Sequence, residues 1–205
     1  MTTHRYHHGD LASALLREAT VMIREGGLES LTLRKLAKRV DATPAALYHH
    51  FKNKNDLLCA LAERGFAELS LRVELPEAAA DVELEAHLVA FVRAYIAFAD
   101  ANPEQYDLMF GRTIWKAGKP TAALREVAFG AFRRYLERIG ALAQSLGTGE
   151  GASPLRVAQV SWALLHGLCR LRIDGIYVDV GDLDAMSDEA ARLILARVQS
   201  LPATK

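Results

Sequence analysis

Apolar residues recur along this chain at helical spacing almost throughout. Leu11, Leu15, Leu16, Ala19 and Ile23 share one face of a first helix that Asp10 can cap and Gly26-Gly27 ends. Leu33, Leu36, Ala37 and Val40 follow at i, i+3, i+4 and i+7 behind an N-cap at Thr32. Arg34, Lys35, Lys38 and Arg39 take the opposite face. Asp41 stands where the next turn needs a left-handed residue, a conformation Asp tolerates better than most. Thr43 caps the next helix and Pro44 suits its first position. Leu47 and Phe51 point inward, leaving Ala45, Ala46, Tyr48 and His49 outward. Asn53, with Asp56 at N3, then opens a long helix from Lys54 to about Val73 that Pro76 ends.

Two short amphipathic helices joined by a tight turn, with basic open faces, form the pattern of a helix-turn-helix. Its second helix lies in the DNA major groove. The rest of the chain reads as a second helical set. Residues 88–99 are apolar nearly all round and should be deeply buried. Asn102-Pro103 opens a short helix through Met109, 111–120 reads as a loop holding Trp115, and a long helix spans about 121–146. Residues 147–153 read as a flexible linker. Ser153-Pro154 caps a helix ending at Gly175, and Ser187 begins the last one, to about Leu201. Strand alternation competes only at residues 176–178.

The expectation is an all-α protein of about nine helices. A helix-turn-helix DNA-binding domain would occupy 1–53, a connecting helix 54–75, and a ligand-binding and dimerisation domain 76–205. The two C-terminal helices are more apolar than so small a bundle requires. Their spare surface suggests a homodimer through a four-helix interface.

Charge sharpens the picture. The 205 residues carry 25 basic and 25 acidic groups. Residues 32–54 alone hold six basic groups against one acidic. A basic end on a neutral chain suggests a polyanion site, or simply a solvated charged face. Cys59 and Cys169 are too far apart in sequence for a CxxC pair and stand in no Cys/His cluster, so no metal site or disulfide scaffold is indicated. No cofactor is expected. Without an apolar leader or an apolar run near 18 residues, the chain is expected to be cytoplasmic, with no membrane partner.

Leu31-Thr32-Leu33-Arg34-Lys35-Leu36-Ala37 and Leu47-Tyr48-His49-His50-Phe51-Lys52-Asn53-Lys54-Asn55-Asp56-Leu57, with Tyr6-His7-His8-Gly9 before them, resemble the TetR family of transcriptional regulators. The resemblance covers about the first 60 residues. Farther on, Trp162, His166 and Gly167 are similar to a subgroup called the WHG type. The resemblance implies that Thr32, Tyr48, His50 and Lys54 hold the phosphate backbone and that Arg34, Ala45 and His49 reach base edges. Lys35, Thr43, Pro44 and Ala46 complete that face. Asp41 departs from the glycine of many members. Ala45 and Ala46 cannot donate hydrogen bonds but can pack against thymine methyls, so polar readout would rest on Arg34 and His49. His4, His7, His8, His49 and His50 lie near this face. Their protonation would raise DNA affinity as pH falls from about 7.5 to 6, unless the N-terminal ones take no part.

The function expected is a homodimeric, ligand-responsive regulator, most simply a repressor, bound to palindromic double-stranded DNA and released by a partly hydrophobic small-molecule inducer. An activator, or a ligand-binding bundle without a DNA role, stays open. Phe91, Tyr95, Tyr106, Phe110, Trp115, Phe132, Trp162 and His166 are the candidate cavity residues. Each is ordinary core by itself, but the set is richer in polar-tipped aromatics than packing requires. His166 could serve a ligand or a buried carbonyl; Arg170 is expected to pair with Asp174. The bundle carries no ExxH pair, HExxH or nucleophile with a base at helical spacing, so no enzyme is expected.

Overall fold

A computed structural model describes residues 8–73, 81–148, 153–176 and 183–202. Among the described residues are nine α-helices: α1 (His8–Ser30), α2 (Leu33–Arg39), α3 (Pro44–His50), α4 (Lys54–Arg72), α5 (Asp81–Ala101), α6 (Pro103–Phe110), α7 (Ala122–Ser145), α8 (Ser153–Ile173) and α9 (Leu183–Gln199). No β-strand occurs among them. Pro76, residues 149–152 of the expected linker, and Tyr177 and Val178 lie outside the described residues.

Local signals act where the sequence puts them. Gly26 and Gly27 leave helical geometry inside α1, and Gly27 takes φ 70° with ψ 177°, a region open to glycine. Thr32 Oγ1 accepts from Lys35 N and Thr43 Oγ1 from Ala46 N, each at 3.2 Å. Asn53 Oδ1 accepts from Asp56 N at 2.9 Å. Asp41 has φ 52°. Around it Ala42 N bonds Ala37 O at 2.9 Å and Asp41 N bonds Lys38 O at 3.3 Å. That pair closes a helix through a left-handed residue. Gly147 after α7 and Gly175 after α8 close their helices with the same two bonds.

Two expectations are corrected. The expected loop 111–120 contains a π-helical turn, Thr113–Ala117, with Trp115 Nε1 donating to Met109 O at 2.7 Å. The last helix starts at Leu183, so Ser187 is interior, and its hydroxyl donates to Leu183 O at 2.7 Å. A hydroxyl has that option wherever a helix carbonyl lies four residues back. The short helix opens at Pro103 as expected; Asn102 just before it is buried, and its side-chain amide donates to Phe98 O at 3.0 Å.

The chain divides into two compact units that are not continuous in sequence. One comprises residues up to 66 with 104–128; the other comprises 67–103 with 129–205. Residues 104–128, assigned by sequence to the C-terminal domain, thus cluster with the helix-turn-helix. The first core gathers Leu15, Leu31, Leu36, Leu47, Leu57 and Leu61 with Tyr106 and Met109 of α6, all essentially inaccessible to solvent. In the second, α5 packs on α8 and α9. Leu88, Val92, Tyr95, Ile96 and Phe98 are buried on several sides of α5, as its sequence predicts. Polar ties hold its neighbours: Arg172 binds Asp100 through Nε and Nη2, and Arg93 reaches Asp188 at 3.0 Å.

Candidate nucleic-acid interface and ligand cavity

The first unit presents α3 as a short rod of about 10 Å, at 1.5 Å per residue. Its outer face is the one expected from sequence. Thr43, Pro44, Ala45, Tyr48 and His49 are exposed, Tyr48 to 53%, while Leu47 is buried and Phe51 nearly so. Ala46 and His50 are half-buried. The His49 and His50 rings meet edge to face, centroids 5.6 Å apart. On α2, Arg34, Lys35 and Lys38 are exposed beside exposed Thr32. Thr32 and Thr43 spend an oxygen lone pair on capping and keep the hydroxyl proton to donate outward.

Two basic residues behave differently from the rest. Lys54 Nζ donates to Leu28 O at 2.9 Å, pinning the chain after the Gly26-Gly27 break. An ammonium has three donors, so two remain for a partner. Arg39, placed by sequence on the open face, turns onto α1. Its guanidinium contacts Glu18 at 2.5 Å and Glu25 at 2.6 Å. The hydrogen bond from Arg39 holds the Glu25 carboxyl below its ordinary range. Arg39 thereby fastens α2 to α1 and orients the helix-turn-helix.

Behind α3, the first turn of α4 is clasped by a distant segment. Asn55 Nδ2 donates to Lys119 O at 2.8 Å, and Asn55 Oδ1 accepts from Lys119 N at 3.2 Å. Thr121 Oγ1 donates to Glu63 at 2.9 Å and accepts from Leu124 N at 3.0 Å, capping α7. Gln105 Nε2 donates to Leu61 O at 3.2 Å in the core.

The second unit holds a cavity of about 100 Å³. Leu69, Ser70 and Val73, Phe91 and Tyr95 of α5, Ala131, Arg134, Tyr135 and Arg138 of α7, and Trp162 of α8 line it. Phe91 and Tyr135 stack at 5.6 Å with 13° between planes. Trp162 makes T-shaped contacts with Tyr95, Phe132 and Tyr135, ring centroids 5.9, 5.8 and 5.2 Å apart. Tyr135 Oη lies 2.7 Å from Ser161 Oγ. Burial pushes the Tyr135 phenol up to about 12, against the opposing pull of that hydrogen bond.

Of the eight cavity candidates, the structure brings Phe91, Tyr95 and Trp162 to the lining. Phe132 supports Trp162 without lining. His166, one turn further along α8, is half-buried; burial first, and the Arg170 charge second, push its imidazole down from the ordinary range. Arg170 itself pairs with Asp174. Tyr106, Phe110 and Trp115 belong to the first unit. There Phe110 meets Tyr106 at 4.7 Å and Phe66 at 5.1 Å, as core. The sequence reading missed Ser70, Arg134, Tyr135 and Arg138. Its available signal was the Arg-Arg-Tyr-x-x-Arg spacing at residues 133–138, which puts Arg134, Tyr135 and Arg138 on one helix face.

A family model for bacterial regulatory proteins of the tetR family matches residues 15–61, and one for the tetracyclin repressor-like C-terminal domain matches residues 88–198. The chain belongs to the TetR family of bacterial regulatory proteins. The class A tetracycline repressor of Escherichia coli, from transposon 1721, is 46% identical over 56 residues, which is 27% of this chain and 26% of that repressor. Matches to the curated tetracycline repressors span only 23% to 38% of their lengths. Among solved structures, a protein of unknown function from Rhodococcus sp. RHA1 is 29% identical. It aligns over 94% of this chain and 97% of its own, with a TM-score of 0.79. A TetR variant from Acinetobacter baumannii in complex with minocycline shares the fold at 23% identity, covering 91% and 93%, with a TM-score of 0.57. Among the described residues no helix is long and apolar enough to cross a membrane, and no three His, Cys, Asp or Glu gather as a metal site.

Proposed function

We propose that the protein is a cytoplasmic, homodimeric transcriptional repressor that binds a palindromic operator and leaves it when a small molecule enters the second unit. The exposed face of α3, held by two intact caps and a left-handed Asp41, carries this reading. The major groove, about 12 Å wide, admits such a helix. Thr32, Tyr48, His50 and Lys54 supply phosphate contacts around it, and Arg34, Ala45 and His49 face the base edges. A dimer is needed so that two copies of α3 reach successive grooves. Val160 of α8, exposed to 70%, and Leu193 of α9, exposed to 52%, are the apolar side chains such a dimer would cover.

The relatives named for tetracycline repression and the minocycline complex support a ligand-released repressor, and the WHG-like Trp162 places an aromatic in the cavity. The helix α4 carries Lys54 in its first turn and cavity residues Leu69 and Ser70 near its last. A ligand that binds two arrangements of this helix with different affinity shifts the protein between them. The test is selection of genomic fragments by purified protein at defined salt, with sequencing, beside a Tyr48→Ala/Lys54→Ala control. A shared palindrome enriched by wild type alone supports the reading. No enrichment, or equal enrichment by the control, overturns it.

A further inference from the structure

We infer that the cavity of the second unit takes a small, neutral aromatic carbonyl compound, its ring against Phe91 and Tyr135 and its oxygen accepting from the Trp162 indole N–H and the Ser70 hydroxyl. The inference rests on the reading of that cavity as a ligand site and adds the chemical class. The polar lining is one-sided: no carboxylate or carboxamide side chain lines the cavity among the described residues. Trp162 carries the first uncommitted donor. A tryptophan N–H enclosed by other rings ordinarily finds an acceptor. Trp115 follows that rule, donating to Met109 O at 2.7 Å. Trp162 is half-buried among Tyr95, Phe132 and Tyr135, and its N–H has no acceptor among the described residues. Its nitrogen is not sealed away, so an entering oxygen can reach it.

Ser70, half-buried on α4, carries the second. Its Oγ accepts from Arg134 Nη2 at 2.8 Å. A hydroxyl has one proton and two lone pairs, so its proton is still to be donated. Tyr135 does not compete. Ser161 Oγ gives its own proton to Val157 O at 2.6 Å, so Tyr135 is the donor in the 2.7 Å bond between them. The Tyr135 proton is thus used inside the protein, and the ligand meets the ring. Tyr95 and Arg138 have interactions of their own, and Arg134 is exposed, where water meets its remaining donors. Two neutral donors on different walls suit one carbonyl oxygen with its two lone pairs. A neutral oxygen satisfies them without the cost of taking a charge out of water. The aromatic walls select the other end of the ligand. Phe91 and Tyr135 lie nearly parallel and Tyr135 meets Trp162 in a T-shaped contact, so a flat ring finds both face and edge partners. Size sets an upper bound: a cavity of roughly 150 Å³ holds benzene in an engineered protein. About 100 Å³ therefore suits one ring with a short substituent.

The experiment titrates the full chain calorimetrically with acetophenone, ethylbenzene and benzoate, in wild type and in Ser70→Ala/Trp162→Phe. Acetophenone and ethylbenzene share a ring and a two-carbon arm and differ in the carbonyl oxygen. Ethylbenzene reports any change in the walls, so the readout is the ratio of the two affinities. The double variant should shift that ratio about tenfold against acetophenone, the contribution of two hydrogen bonds. A wild-type-like thermal unfolding curve shows that the variant is folded. In wild type, acetophenone should move the Trp162 indole proton downfield in a proton–nitrogen NMR spectrum, and ethylbenzene should not. The single variant Trp162→Phe assigns that signal, and Trp115 is the internal reference. An unchanged ratio, an indole proton that does not move, benzoate binding more tightly than acetophenone, or no acetophenone binding to wild type each overturns the assignment. A second readout separates it from the regulatory reading. Acetophenone that binds with the expected ratio yet leaves a selected operator complex intact supports the ligand class and overturns ligand-driven release. Release by benzoate but not by acetophenone does the reverse.

Discussion

Replacing Asn55 tests whether the clasp between α4 and the segment before α7 holds the first unit together. In the native chain one carboxamide makes both hydrogen bonds to the Lys119 peptide, at 2.8 and 3.2 Å, across 64 residues of sequence. A hydrogen bond contributes about 0.5–1.5 kcal/mol net. Lys119 is exposed, so water takes over its freed groups, and the loss in Asn55→Ala should be about 1–2 kcal/mol. For a chain of this length each kcal/mol moves the midpoint by roughly 2–4 °C, so the variant should melt roughly 2–8 °C lower. Asn55→Asp is the sharper probe. It keeps the shape and the acceptor, but it cannot donate to Lys119 O and sets a carboxylate against that carbonyl. It should lose at least as much. Gly118→Ala attacks the same clasp from the other side, because an added Cβ would lie 2.5 Å from Asn55 Oδ1 and 2.8 Å from Thr113 O. Thermal unfolding by circular dichroism gives the magnitude. Hydrogen exchange at the Lys119 amide, whose acceptor is Asn55, gives the location. Asn55→Ala and Asn55→Asp that melt with wild type, and a Lys119 amide exchanging no faster, would refute the reasoning.

Three further outcomes follow from the geometry. Asp41→Val forces a β-branched side chain into φ 52° and should destabilise by about 1–3 kcal/mol, read by urea unfolding, whereas Asp41→Gly should not. Tyr135→Phe removes the partner of Ser161 in a buried site and should cost about 1 kcal/mol. The Tyr135 proton also links stability to alkaline pH. The folded value, about 12, lies above the ordinary 10, so its contribution is intact below pH 10 and lost as pH rises toward 12. Denaturant unfolding across that window should show a fall in wild type that is smaller in Tyr135→Phe. Finally, Lys54→Ala should weaken operator binding and lower the slope of log affinity against log salt by about one, measured by fluorescence anisotropy. An unchanged slope removes Lys54 from the phosphate contacts.

The sequence alone specified the helices, their caps and the left-handed turn at Asp41. Each of these depends on atoms within about five residues, so the chemistry of Thr32, Thr43, Pro44 and Asn53 is enough to write them. The outward face of α3 was legible for the same reason: burial of Leu47 and Phe51 leaves Tyr48 and His49 only one direction. Competition between local options already blurred the reading elsewhere. Ser187 had the chemistry of a cap, but a carbonyl four residues back took its hydroxyl. Arg39 looked solvated until α1 brought Glu18 and Glu25 beside it. The cavity was beyond any local rule. Its walls come from α4, α5, α7 and α8, and only their packing decides that Tyr135 and the two arginines line it while Tyr106 and Phe110 pack into the other core. Aromatic residues at helical spacing carry the same apolar signature in either place. Which neighbour each one meets is settled by the tertiary arrangement, because the contacts that define a cavity join residues far apart along the chain.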